Sequence, residues 1–129
     1  MKVHWKVNSA TMIGALVASV ASAQLTPKAL YEFRDKMRAG YGSISVTQKA
    51  KQLQISLDVP KVSESTYTTA LAVACVHLGA HAKQLTEIAV LNKFSAQGYV
   101  YESPNRCESV ANESIQKVRI VILSATHSY

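Results

Sequence analysis

The chain has 129 residues, a formal net charge of +6 and two cysteines. Its length accommodates one small domain with its own hydrophobic core. The sequence contains no internal repeats, low-complexity runs or linkers, which excludes a repeat or multidomain architecture.

The first 23 residues predict a cleaved secretory signal peptide. Lys2 and Lys6 give a positive start, Met12–Val20 is a short apolar run, and residues 21–23 (Ala-Ser-Ala) form a small-residue cleavage site. The apolar run is shorter than the about 20 residues that cross a bilayer, so we expect no stable membrane insertion. The mature chain would form a single domain over residues 24–129, in the periplasm or outside the cell.

The two cysteines, Cys75 and Cys107, predict one disulfide bond. An even number of cysteines in an exported chain pairs in an oxidising compartment. Two reduced, buried cysteines are the alternative. No CxxC spacing accompanies these residues, which argues against a metal site built on them.

Positive charge is concentrated near the start of the mature chain. Residues 28–51 contain six basic and two acidic residues, whereas residues 52–129 contain six of each. This asymmetry predicts an anionic partner, either an acidic protein or an anionic envelope polymer. A solvated helix face is the alternative. The candidate binding residues are Arg34, Lys36, Arg38, Lys49 and Lys51.

The first half of the mature chain predicts a helix followed by two strands. Thr26 can cap a helix over 27–39, Pro27 suits its first position, and Gly40 and Gly42 can end it. Residues 43–47 and 52–59 then alternate between apolar and polar residues, as strands with one buried face do.

A long helix is predicted over 64–93, apolar over more than half of its girth. A helix of that length would span roughly 45 Å, which is too long for so small a domain. We therefore expect a bend or break at Gly79 or near Asn92. Such a helix would lie between the sheet and another helix.

Two further strands are predicted, over 98–102 and over 115–124. The second is rich in β-branched residues and nearly continuous in its apolar character, which favours a central strand. The resulting order is α-β-β-α-β-β. It predicts an α+β two-layer sandwich, in which two helices pack on one face of an antiparallel sheet of about four strands.

His77 and His81 are four residues apart in the predicted long helix, so they would share one face and could hold a metal ion. The residues between them lack the glutamate of an HExxH motif, and the sequence does not place His127 nearby. We therefore predict no cofactor and no metal site, with this histidine pair as the alternative.

No nucleophile motif such as GxSxG is present. Glu102, Glu108 and Glu113 could include a general acid/base pair for sugar cleavage, although solvated loop carboxylates are the alternative. A ribonuclease hypothesis makes His127 the acid and Glu102 the base. A broader hydrolase hypothesis also admits His81.

The basic segment carries no signature of a nucleic-acid-binding module, and export argues further against nucleic acid as a partner. The first helix combines basic residues with Leu30, Phe33 and Met37, so it could lie on a membrane surface. Packing of this apolar stripe on the domain core is the favoured interpretation.

The leading hypothesis is therefore an exported, non-enzymatic binding or accessory domain of the cell envelope. Its basic first quarter would bind the anionic partner. An inhibitor or immunity-type role belongs to this class. The rival hypotheses are the small secreted hydrolase and metal binding through His77 and His81.

Overall fold

The computed structural model describes residues 25–129, so the signal peptide predicted over 1–23 lies outside the described residues. Within 25–129, no helix is long and apolar enough to cross a membrane. The helices are α1 (Pro27–Tyr41), α2 (Glu64–Leu78), α3 (Cys107–Ala111) and α4 (Ile115–Leu123), with 3₁₀ helices at Gly79–Gln84 and Pro104–Arg106. The strands are β1 (Ile44–Lys49), β2 (Gln52–Leu57), β3 (Glu87–Asn92), β4 (Gly98–Tyr101) and β5 (Thr126–Ser128).

The five strands form one sheet in the order β1-β2-β3-β4-β5. Neighbouring strands are antiparallel except β2 and β3, which are parallel. A parallel pair needs a crossover connection, and α2 supplies it. The predicted α+β class is confirmed, but the sheet has five strands rather than four and is mixed rather than wholly antiparallel.

Helix α1 follows its prediction closely. The Thr26 hydroxyl accepts a hydrogen bond from the Ala29 amide at 3.1 Å. The helix ends at Gly42, whose φ of 70° suits a residue without a side chain. Phe33 and Met37 are buried in the core, so the apolar stripe packs against the domain.

The residues predicted as one helix over 64–93 form three elements: α2, the 3₁₀ helix at Gly79–Gln84 and β3. The Ser63 hydroxyl caps the start of α2 by accepting a hydrogen bond from the Thr66 amide, and α2 ends before Gly79, whose φ is 54°. The break at Gly79 is thus confirmed. The extension to 93 is wrong, because residues 87–92 form β3, whose side chains are buried on both faces of the sheet.

The strand predicted over 115–124 is also wrong, since these residues form helix α4. The Val118 amide donates to the Ser114 carbonyl at 2.9 Å, as in a first helical turn. Ile122 is fully buried, and Val118 and Val121 pack against the core. These positions recur at helical spacing, and burial of that one side outweighs the strand preference of the β-branched residues.

One main core lies between the helices and one face of the sheet. Leu53, Ile55 and Leu57 of β2 all point into this core. The opposite face carries a smaller buried cluster of Ala89, Leu91 and Val100. Within residues 25–129, the helices therefore pack on one face of the sheet, as predicted for a two-layer sandwich.

The predicted disulfide bond between Cys75 and Cys107 is present. It joins α2 to the start of α3, and both cysteines are buried. Closing a loop with a sequence separation of 32 residues restricts the unfolded chain. This covalent link fixes the C-terminal helices on the central one.

Replacing both cysteines by alanine should lower the free energy of unfolding by about 3–4 kcal/mol, from the lost loop constraint. Urea denaturation of the oxidised protein and of the double variant measures the difference. Reduced wild type is the control and should match the variant. A loss below about 1 kcal/mol would show that the bond does not stabilise the fold.

Candidate functional site

Helix α1 lies along β1, the outer strand of the sheet. The Arg34 guanidinium donates a hydrogen bond to the Val46 carbonyl oxygen at 3.0 Å. Edge strands expose unpaired backbone groups, and this contact satisfies one of them. Arg34 therefore has a structural role besides its charge.

Further cations lie at both ends of β1. Arg38 follows Arg34 by one helical turn on the same side of α1. The Lys93 ammonium group donates to the Ser43 hydroxyl at 3.0 Å, at the corner between α1 and β1. At the opposite end of the strand, Lys49 is the last residue of β1 and Lys51 lies in the turn that leads to β2.

These five cations, Arg34, Arg38, Lys49, Lys51 and Lys93, are called the basic edge below. A six-residue strand is about 17 Å long, so the basic edge is an extended row rather than a compact cluster. Ion pairs within residues 25–129 join Lys83 to Glu108, Arg119 to Glu64 and His127 to Glu102. None of them neutralises a cation of the basic edge.

Lys36, the fifth candidate binding residue, lies elsewhere. It lines a small pocket between α1 and the end of α2, together with Glu32, His77 and His81. Four of the five basic residues singled out in the sequence thus lie on the basic edge. Lys93 was missed because it lies far from the others in sequence.

His77 and His81 do not share a helix. His77 ends α2, and His81 belongs to the following 3₁₀ helix. In the part of the chain that the structure describes, no group of three or more metal-ligating side chains is close enough to hold an ion. The expectation of one common helical face is therefore wrong, although both residues line one pocket.

Glu102 and His127, the pair of the ribonuclease hypothesis, are brought together by the pairing of β4 with β5. The Glu102 Oε2 to His127 Nδ1 distance is 2.6 Å, and about half of each side chain is exposed. The other two glutamates make separate contacts. Glu108 pairs with Lys83 at 3.3 Å, and the Glu113 carboxylate accepts from the Ser114 amide.

Burial raises the pKa values of Tyr41, Tyr67 and Tyr101 above the usual value for tyrosine. The hydrogen bond between Tyr67 and Thr126, at 2.5 Å, lowers the pKa of Tyr67 and so offsets part of the effect of burial. The phenols therefore stay neutral at physiological pH. They are packing groups rather than bases, and of the three only the Tyr67 hydroxyl has a hydrogen-bond partner within residues 25–129.

A groove of about 300 Å³ opens at the carboxyl ends of β2 and β3. Residues that sequence reasoning did not single out line it, namely Lys61, Asn92, Gln97, Tyr99, Ser128 and Tyr129. Asn92 lies beside the loop after β2 because β3 pairs in parallel with β2. The sequence analysis assigned residues 87–92 to a helix, so it could not place Asn92 there.

Asn92 holds the two walls of this groove together. Its side-chain amide donates to the Pro60 carbonyl at 2.8 Å. Its side-chain oxygen accepts from the backbone amides of Ser95 at 3.2 Å and Gln97 at 3.0 Å, and from the Ser95 hydroxyl. Asn92 is only 3% exposed, so water cannot replace these bonds.

No protein-family model, curated protein or solved structure matches this chain. A functional assignment therefore rests on the charges and contacts within residues 25–129. Three features emerge from them: the basic edge, the Glu102–His127 pair and the groove at the carboxyl ends of β2 and β3.

Replacing Asn92 by alanine should lower the free energy of unfolding by about 2–4 kcal/mol, because several buried backbone groups lose their partner. Urea denaturation measures the change. The matched control is Asn112→Ala, which removes one exposed hydrogen bond to the Glu108 carbonyl. Equal effects of the two substitutions would contradict the structural role of Asn92.

Proposed function

We propose that the protein is an exported, non-enzymatic binding domain of the periplasm or the extracellular space. Its basic edge binds an acidic protein or an anionic envelope polymer. The observation that supports this proposal is the row of cations along β1, none of which is paired with an acid within residues 25–129. An inhibitor or immunity-type role belongs to the same class.

The shape of the basic edge favours an extended ligand. Its cations are spread over about 17 Å, roughly twice the Debye length at physiological ionic strength. One small anion would meet only one or two of them. A chain of carboxylates, phosphates or sulfates would meet all of them, and the attraction would fall as salt is added.

The disulfide bond supports the exported location in this proposal. Structural disulfides form and persist in oxidising compartments and are rare in the cytosol. Charged residues on an edge strand also prevent pairing with the sheets of other molecules. The experiment below separates this protective role from ligand binding.

The basic edge is tested by the triple variant Arg38→Glu/Lys49→Glu/Lys51→Glu. Arg34 is left intact because of its bond to Val46. Binding to poly-glutamate and to dextran sulfate, measured by calorimetry at low salt, should weaken by at least about tenfold and depend less on salt.

The matched control carries the same change of charge elsewhere, as Lys83→Glu/Lys117→Glu/Arg119→Glu. It should retain most of the affinity, because long-range charge is screened. An equal loss in both variants would show that net charge, not the basic edge, is responsible. If the wild type binds neither polymer and the triple variant of the basic edge aggregates, the cations only prevent β1 from pairing with the sheets of other molecules.

A second candidate function is acid/base hydrolysis, favoured by the 2.6 Å contact between Glu102 and His127. The carboxylate orients the imidazole through Nδ1 and leaves Nε2 free to transfer a proton. Such a pair suits phosphodiester cleavage, in which a positioned acid or base contributes about 10²–10⁴-fold.

This candidate predicts cleavage of single-stranded RNA by wild type and a loss of at least about 100-fold in His127→Ala. Gel analysis of a labelled oligonucleotide measures it. His81→Ala is the control and should keep full activity, since His81 lines a pocket that includes neither Glu102 nor His127. Cleavage by His127→Ala at the wild-type rate would exclude the pair.

A further inference from the structure

The turn between β3 and β4 presents an aromatic side chain to solvent. Residues 93–97 join the two strands, and each of them is exposed. Phe94 has 72% of its surface exposed and belongs to neither cluster of buried residues. A single exposed apolar side chain needs no explanation by itself, so the surroundings of Phe94 decide its role.

Hydrogen bonds within the turn fix its shape. The buried side-chain oxygen of Asn92 accepts from the Ser95 and Gln97 amides. The Ala96 amide donates to the Asn92 carbonyl at 3.2 Å, and the Asn92 amide donates to the Gln97 carbonyl at 2.9 Å. The φ of Ala96 is 53°, a left-handed conformation that a residue with a side chain adopts only where its surroundings hold it. The backbone at Phe94 is therefore preorganised, which lowers the entropy cost of binding.

Phe94 directly follows Lys93, a cation of the basic edge. The Lys93 ammonium group donates to the Ser43 hydroxyl at 3.0 Å, and its other donors remain for a partner. Arg38 lies at the same end of the basic edge, because its carbonyl accepts from the amide of Gly42, the residue before Ser43. The aromatic side chain therefore adjoins the Ser43 end of the basic edge.

The charge around Phe94 favours an acidic partner. The Lys93 backbone amide donates to the Leu57 carbonyl, which places Asp58 near Lys93, and Asp35 lies one helical turn before Arg38. Within residues 25–129, neither aspartate forms an ion pair with these cations. The five cations of the basic edge outnumber the two acids, so the surface attracts carboxylates.

From these contacts we infer that the partner of the basic edge is an acidic polypeptide segment with apolar side chains, one of which packs against Phe94. This inference rests on the proposed function of the basic edge and selects the protein over the envelope polymer. The cations attract the carboxylates of the segment, and the preorganised aromatic side chain adds a contact that salt does not screen. A polyanion without apolar groups would leave Phe94 in water.

Two random copolymers test the inference, one of glutamate with tyrosine and one of glutamate with alanine, matched in length and in glutamate fraction. Both carry the same density of carboxylates, and only the first carries aromatic rings. Calorimetry at low salt should show that wild type binds the tyrosine copolymer at least about fivefold more tightly. Added salt should weaken binding of both copolymers and leave the ratio of their affinities unchanged.

Phe94→Ser should bind both copolymers as wild type binds the alanine copolymer, because the apolar contact is lost and the cations remain. Phe94 lies outside the core, so the variant should fold. Ile115→Ser is the matched control, since Ile115 is 90% exposed at the start of α4 and is not part of the basic edge. It should keep the wild-type preference for the tyrosine copolymer. The triple variant of the basic edge should lose affinity for both copolymers.

Equal affinity of wild type for the two copolymers would overturn the inference and leave the proposed function of the basic edge intact. A preference for the tyrosine copolymer that Phe94→Ser retains, or that Ile115→Ser also loses, would overturn the inference too. Undiminished binding by the triple variant would overturn the proposed function and the link between Phe94 and the basic edge. Binding of neither copolymer by wild type would overturn both proposals.

Discussion

Parallel pairing of β2 with β3 is the constraint on which the rest of the structure depends. It requires α2 as a crossover, and α2 then covers the helical face of both strands. It also makes β3 an inner strand that is buried on both faces, with Ile88 and Val90 in the main core and Ala89 and Leu91 on the other side. Both strands end together, and the groove is lined by Asn92 at the end of β3 and by residues 60–62, which follow β2.

The same arrangement sets the two candidate binding surfaces apart. Within residues 25–129, β1 pairs with β2 alone, and its outer side faces α1 and the cations of the basic edge. β5 pairs with β4 at the far side of the sheet and brings His127 to Glu102. The basic edge along β1 and the groove at the strand ends therefore occupy different parts of one sheet. The Cys75–Cys107 bond joins α2 to α3 within the helical layer that packs on this sheet.

Local signals in the sequence predicted much of the fold. The cap at Thr26, the break at Gly79 and the disulfide were all predictable, because each depends on residue type and nearby sequence. Residues 87–92 were not, since a short run of buried apolar residues fits a helix or an inner strand equally well. The contact between Glu102 and His127 and the position of Lys93 were beyond reach, because strand pairing across long sequence separations creates both.

Backbone NMR tests the central claim, the parallel pairing of β2 with β3, most directly. The account predicts cross-strand NOEs between residues 52–57 and 87–92 in the register Ile55 to Val90, with slow amide exchange in β3. Sequential amide-to-amide NOEs of a continuous helix through 79–93, with no contact to residues 52–57, would contradict it.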